Sequence, residues 1–152
     1  MIVKPTINRS EIEAVLNHPD IYDTITDDSN EGGEQLPIND GDYTYVGGYV
    51  NNEIIAVMLY HSYRDGKACH VQVLPDFRKE YALQFGEQSL EFKGTQPLYA
   101  EIPSLYKNVL DFALHFGFEI IETEKRDYCK NGELYDINIL RFKDGRIIRR
   151  IK

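Results

Sequence analysis

The sequence predicts an α/β (α+β) protein in which a mixed central sheet of six to seven strands carries helices on both faces. Short apolar runs with period-two alternation recur along the chain, and apolar stripes at helical spacing separate them. The predicted order is β–α–α–β–β–β–α–β–α–β–β, which is typical of a layered sandwich. At 152 residues, the chain suits a single domain spanning 1–152.

The N-terminal part is predicted to hold one short strand and two helices. The strand is MIVKPTI, and Asn8 caps the next helix with Glu11 as its reciprocating acid three residues on. Pro19 stops this helix, and Asp20 caps a shorter one. The apolar stripe of the first helix consists of Ile12, Val15 and Leu16.

Charge is distributed unevenly along the chain. Between Ser10 and Tyr63 there are eleven Asp and Glu and no Lys or Arg, which gives −11 there and +3 elsewhere. This part includes a polar, glycine-rich acidic loop at 27–42, whereas the tail at 145–152 is basic. This uneven charge argues against nucleic acid as a partner. It favours a cationic ligand or a basic protein surface on the acidic side. A solvated loop that only keeps the protein soluble is the alternative.

Three strand patterns follow the acidic loop. YTYVGGYV and IIAVMLYHSY are joined by a turn at residues 51–53, and a second turn at residues 64–67 leads into ACHVQVL. Pro75 ends this strand. Residues 78–92 are then predicted to be helical, with Tyr81, Phe85 and Phe92 on one side.

The last third of the chain predicts a strand, a helix and a hairpin. PLYAEI is the fifth strand, and Ser104 is predicted to cap the next helix. That helix ends at Gly117, the C′ position. Its core stripe consists of Val109, Phe112, Ala113 and Phe116. FEIIETEKR and LYDINILRF, joined at residues 130–132, form the closing hairpin.

Several classes of protein are excluded by composition. No apolar run approaches the roughly 20 residues that span a bilayer. The first residues, MIVKPTINRSEIE, lack an apolar signal core, so we expect a cytoplasmic protein with no membrane partner. Cys69 and Cys129 are too few and too far apart for a disulfide framework or a zinc site.

The passage VQVLPDFRKEYA resembles the cofactor motif of the GNAT family of N-acetyltransferases. In that family a strand leads through Arg/Gln-x-x-Gly-x-Gly/Ala into a helix whose N-terminus holds the pyrophosphate of acetyl-CoA. The passages NVLDFALHFGFEII and NGELYDINILRF resemble the family's next helix and closing hairpin. The resemblance covers essentially the whole chain. It implies a set of candidate cofactor-binding residues: Val71, Val73, Arg78, Lys79, Glu80, Tyr81, Ala82 and Leu83.

The sequence departs from the family motif at its two glycines. Counting from Arg78, these places hold Tyr81 and Leu83. Glycine lets the backbone approach a phosphate closely, and a Cβ hinders this approach. We therefore expect weakened, degenerate binding of acetyl-CoA if the protein is active, and no cofactor otherwise.

Candidate catalytic residues are His70, Glu101 and Tyr106. His70 shares one face of the fourth strand with Gln72, and either His70 or Glu101 could deprotonate an amine. A hydrogen-bonded structural role for His70 is the alternative. Tyr106 is the candidate acid, since the place where many family members have a tyrosine acid holds Ala113. No metal-ligand spacing is present.

Within the fold, the chain resembles the small GNAT-like head-assembly proteins of short-tailed temperate phages. The resemblance lies in YVGGYVNNEIIAVMLYHSY, CHVQVLPDFRK and FGEQSLEFKGTQPLYAEIPSLYKNVLDFA. It implies an accessory protein of virion assembly in the host cytoplasm, with other virion proteins or a second copy as partners. The alternative function is an active N-acetyltransferase acting on a cationic amine or a lysine.

Overall fold

The structure is a computed structural model that describes residues 1–25 and 42–143. Within these ranges the chain forms seven strands and four helices, in the predicted order. The strands are β1 (Ile2–Pro5), β2 (Thr44–Val50), β3 (Glu53–Tyr63), β4 (Gly66–Val73), β5 (Leu98–Pro103), β6 (Phe118–Lys130) and β7 (Glu133–Phe142). The helices are α1 (Arg9–Leu16), α2 (Pro19–Ile25), α3 (Pro75–Leu90) and α4 (Lys107–His115).

All seven strands belong to one sheet, in the order β1-β2-β3-β4-β5-β7-β6. Neighbouring strands run antiparallel except β4 and β5, which are parallel because α3 crosses between them. The predicted mixed sheet of six to seven strands is therefore confirmed, with seven strands.

Helices cover both faces of the sheet, as predicted. On one face, α1 and α2 bury Ile12, Val15 and Ile21 against Tyr45 and Val57. On the other face, α3 and α4 close the larger core, which includes Phe85, Ala113 and Phe116. Strand alternation supplies both cores, since Val57 points to the first and Ala56 and Met58 to the second.

Two hairpin turns follow from their asparagines. Asn51 and Asn52 both have positive φ, 52° and 65°, as do Asn131 and Gly132 at 52° and 79°. Asparagine and glycine tolerate this left-handed backbone conformation better than other residues. Two-residue turns with positive φ at both positions match the twist of the flanking strands. Both turns lie where the sequence predicted them.

Three predicted helix starts need correction. α3 begins at Pro75 rather than residue 78, because proline suits the first helical position, and it ends at Leu90, before Phe92. α4 begins after Tyr106, so Ser104 does not cap it. Asp20 lies inside α2, and its N–H donates to the Nδ1 of His18.

The predicted cap of α1 is half correct. The side-chain oxygen of Asn8 accepts from the N–H of Glu11 at 3.1 Å. Glu11 does not reciprocate: the N–H of Asn8 donates to Thr6, and the carboxylate of Glu11 accepts from the Tyr49 hydroxyl at 2.8 Å.

The predicted acidic loop at 27–42 and the basic tail at 145–152 lie outside the described residues, apart from Asp42. Asp42 accepts hydrogen bonds from both the N–H and the hydroxyl of Ser62. Among the residues described, none of the helices is long and apolar enough to cross a membrane.

Candidate functional site

The sheet opens between β4 and β5. The two strands pair only where Lys67 meets Leu98 and Ala68 meets Tyr99. Beyond these pairs β5 turns to β7, with which it pairs from Tyr99 to Pro103. A wedge-shaped gap therefore runs from the middle of β4 to its end.

Backbone groups of β4 point into this gap. The N–H of Lys67 donates towards β5, to the carbonyl of Pro97, whereas the N–H of Leu74 donates towards β3, to the carbonyl of Ile55. Because strand residues alternate in direction, the N–H groups at positions of odd number, including Val71 and Val73, face the gap. Lys67 uses its N–H for the contact with Pro97, whereas Val71 and Val73 have no paired residue on β5.

A cavity of about 320 Å³ lies at this gap, and residues of α2 also line it. Its walls are mainly apolar, from β4, β5, α3, α4 and the β6–β7 hairpin. Its polar side chains include His70, Gln72, Glu101, Tyr106 and Tyr128. An apolar cavity with a few converging polar groups is the usual form of a small-molecule site.

His70 is held by a second histidine. The Nε2 atoms of His70 and His61 lie 3.0 Å apart, and the two rings are nearly parallel at 14°. The ring of Tyr43 stacks on the other side of His61, 5.1 Å away between centroids. Loss of solvent, and next the charge of His61, lower the pKa of His70 to about 4. His70 is therefore neutral at neutral pH.

Glu101 lies on β5, across the gap from β4, and lines the cavity. Its carboxylate interacts with the phenol of Tyr63. Burial, followed by the carboxylate of Glu101, raises the pKa of that phenol. The carboxylate is partly exposed, so it can take a proton from a group that enters the cavity.

Tyr106 lies directly before α4 and turns its phenol towards the cavity. Its oxygen is 3.3 Å from the oxygen of Tyr128, and the two rings meet edge to face. Sequence reasoning missed Tyr128. The residue reaches the site because β6 is irregular between Glu124 and Tyr128, and no local pattern in the sequence marks that bulge.

The other predicted cofactor-binding residues lie on α3. Arg78 donates from Nε to the carbonyl of Val73 at 2.9 Å, which ties the helix to the end of β4. Tyr81 and Ala82 pack against the larger core. The remaining three, Lys79, Glu80 and Leu83, are exposed.

The structure thus brings Val71, His70, Glu101 and Tyr106 around one cavity. Cys69 also lines the cavity, but burial raises the pKa of its thiol to about 12. This thiol is not a nucleophile at neutral pH. Among the residues described, no three His, Cys, Asp or Glu side chains could hold a metal ion together.

The fold is that of the GNAT N-acetyltransferases, as comparison with solved structures shows. A mutant of the spermidine N-acetyltransferase SpeG from Vibrio cholerae superposes with a TM-score of 0.75 at 9% identity, over 100% of both chains. The protein yncA from Salmonella typhimurium, solved with its cofactor acetyl-CoA, gives 0.75 at 12% identity, over 95% of this chain and 94% of the other.

An N-acetyltransferase from Staphylococcus aureus gives a TM-score of 0.73 at 13% identity, over 93% of this chain and 97% of the other. No protein-family model matches the chain, and no curated protein matches it. At these identities the likeness establishes the fold, and function has to be argued from the site.

Proposed function

We propose that the protein is an acetyl-CoA-dependent N-acetyltransferase that acts on a cationic amine or a lysine. The observation that carries this proposal is the gap between β4 and β5. There Val71, whose backbone N–H faces the gap, lines a cavity together with Glu101 and Tyr106. Such N–H groups can hold the carbonyl oxygen of a thioester as it gains negative charge.

A bound acyl thioester supplies an activated carbonyl, at which a C–N bond to the amine forms while the C–S bond breaks. We assign to Glu101 the role of accepting the proton that the amine loses. We assign to Tyr106 the role of giving a proton to the departing sulfur, and Tyr128 can return one to Tyr106 from solvent through their contact. The products are an amide and a free thiol.

The choice of acceptor rests on charge. The part of the chain between Ser10 and Tyr63 carries eleven acidic residues and no basic one. Such an excess of negative charge attracts a polyamine or a lysine side chain. The structural likeness to a spermidine N-acetyltransferase supports spermidine as the first acceptor to try.

Calorimetric titration with acetyl-CoA tests the proposal. We expect micromolar binding and release of free thiol when spermidine is added. No binding at millimolar acetyl-CoA would contradict the proposal.

A substitution that fills the cavity tests whether acetyl-CoA binds there. Val109 lines the cavity and is 46% exposed, so Val109→Trp adds bulk there with little strain on the core. We expect at least tenfold weaker binding of acetyl-CoA. Leu114→Trp is the matched control, because Leu114 is similarly exposed on the same helix but does not line the cavity. Equal effects of the two changes would argue against binding in this cavity.

A second candidate is an accessory role in phage head assembly, with the GNAT scaffold as an interaction module and a degenerate cofactor site. Two features favour it: the resemblance to head-assembly proteins, and the division of charge between −11 in residues 10–63 and +3 elsewhere. On this reading, the acidic and basic parts dock other virion proteins or a second copy. Deleting the gene from a phage genome should then lower the yield of infectious particles. A normal yield would refute this role.

A further inference from the structure

The N-terminus of α3 offers few backbone N–H groups to a ligand. A helix normally leaves its first N–H groups free, and anions bind to them. Here the N–H of Leu74 donates to Ile55, and the N–H of Phe77 donates to the carbonyl of Leu74 at 2.9 Å. Pro75 has no N–H. Of these four positions, only Asp76 keeps a free N–H.

The side chains around this helix start compensate only weakly for the missing donors. Asp76 is exposed in the first turn, and its carboxylate repels an anion that approaches its own N–H. Arg78 uses Nε to hold the carbonyl of Val73. Its Nη groups and the ammonium of Lys79 remain as donors, but both residues are exposed, and exposed ion pairs contribute little. Tyr81 stands at a place where the family motif has glycine. Its side chain packs against the ring of Phe77 and the larger core, and this bulk hinders the approach of a phosphate to the backbone.

The gap in the sheet is, by contrast, well suited to a thioester arm. It combines the N–H of Val71 with a mainly apolar cavity of about 320 Å³, which Val71 lines. Pantetheine is a narrow chain with two amides, and it can pair with the edge of β4 as an added strand does. The site therefore suits the pantetheine end of a coenzyme A molecule better than its diphosphate end.

From this difference we infer that the protein recognises its acyl donor through the acyl-pantetheine arm, while the nucleotide diphosphate adds little to binding. The inference rests on the proposed function, because it concerns the donor of the same reaction. It names the donor class as an acyl-pantetheine thioester.

Calorimetry of the full chain with two donors tests the inference. Acetyl-CoA and S-acetylpantetheine, which lacks the nucleotide and its phosphates, are titrated under the same conditions. We expect dissociation constants within tenfold of each other. A preference for acetyl-CoA of more than tenfold overturns the inference and leaves the proposed acetyl transfer intact. A donor concentration of 5 mM corresponds to roughly the weakest affinity that calorimetry resolves. If neither donor binds at this concentration, both the proposed function and the inference are refuted.

A pair of charge variants tests the part assigned to Asp76. Asp76→Asn should strengthen binding of acetyl-CoA about two- to fivefold and leave S-acetylpantetheine unchanged, because only the first carries a diphosphate. Glu87→Gln, an exposed acid about 16 Å further along the helix, should change neither. If Asp76→Asn changes the affinity for both donors equally, or changes neither affinity, the role given to this carboxylate is overturned.

Discussion

The contact between His61 and His70 determines which nitrogen of each ring carries a proton. The Nδ1 of His61 lies 2.9 Å from the carbonyl oxygen of Ser62, which can only accept, so that nitrogen is protonated. In a neutral His61 the Nε2 is then an acceptor, and His70 donates to it from Nε2. The lone pair of His70 therefore lies on Nδ1.

This arrangement predicts a loss of stability in mild acid. The pKa of His70 falls from 6.5 to about 4 on folding, so the unfolded chain binds a proton at a pH where the folded chain does not. The stabilisation is full above pH 6.5 and is lost as the pH falls towards 4. His70→Gln should reduce the drop in unfolding free energy between pH 7 and pH 4.5 by about 2 kcal/mol, measured with urea.

The control for His70 is His115→Gln, an exposed histidine on α4. It should leave the acid sensitivity of the protein unchanged. If both variants lose stability in acid as the wild type does, His70 is not the group responsible.

Glu101 is the residue on which the proposed chemistry depends most. Glu101→Gln keeps the size of the side chain but removes its capacity to accept a proton. We expect acetyl transfer to spermidine at neutral pH to fall about 100-fold or more, with acetyl-CoA binding unchanged. Thiol release measures the rate. Glu119→Gln, an exposed acid on β6, should have no effect; a Glu101→Gln variant within twofold of the wild type would assign the base elsewhere.

At the scale of the elements, α3 and α4 are packed closely at Gly86. A Cβ at this position would lie 2.7 Å from Cζ of Phe116 and 3.1 Å from Cζ of Phe112. Both rings also line the cavity. The glycine therefore sets the distance between the helices and, with it, the width of the site.

Gly86→Ala should destabilise the protein by up to about 2 kcal/mol. Alanine favours a helix by about 1 kcal/mol over glycine, but overpacking of a filled core costs about 1–3 kcal/mol. Urea denaturation measures the difference. Gln84→Ala, on the exposed side of the same helix, should change stability by less than about 0.5 kcal/mol. A Gly86→Ala variant more stable than the wild type would show that the rings move aside at no cost.

Elements could be predicted where a local pattern decides the backbone. The turns at Asn51–Asn52 and Asn131–Gly132, and the helix end at Gly117, each need positive φ, and their residues tolerate it. The sequence pattern predicts the start of α3 three residues late, because Pro75 both ends the strand pattern and begins the helix. The helix start after Tyr106 has no side-chain cap, so the sequence gives no signal for it.

The site was predictable only in part. Alternation along β4 correctly separates His70 from the core-facing Cys69 and Val73. The ring contacts of His61 with Tyr43 and His70, and of Tyr106 with Tyr128, join segments that are separated in sequence. Such contacts depend on strand order and on a bulge, which neither composition nor periodicity reveals.

At the scale of the whole molecule, the described sheet is complete at Phe142. The N–H of Lys143 still donates to the carbonyl of Gly117, after which the described residues end. We predict that a chain truncated after Asp144 keeps its fold, with a melting temperature within about 2 °C of the full chain. Circular dichroism measures this. A fall of more than about 5 °C would mean that residues beyond 144 add to the core.

The ion pair between Lys130 and Asp23 has a consequence for the order of folding. Lys130 is largely buried at the end of β6, and it also donates to the backbone carbonyl of Asp23, 107 residues away in sequence. A contact across so long a loop forms late, after the local β6–β7 hairpin, because loop closure costs more entropy as the loop lengthens. Residues of α2 and of this hairpin line the cavity, so the cavity wall is among the last parts to assemble. Hydrogen exchange should then find α2 opening before the sheet, at a lower free energy than global unfolding.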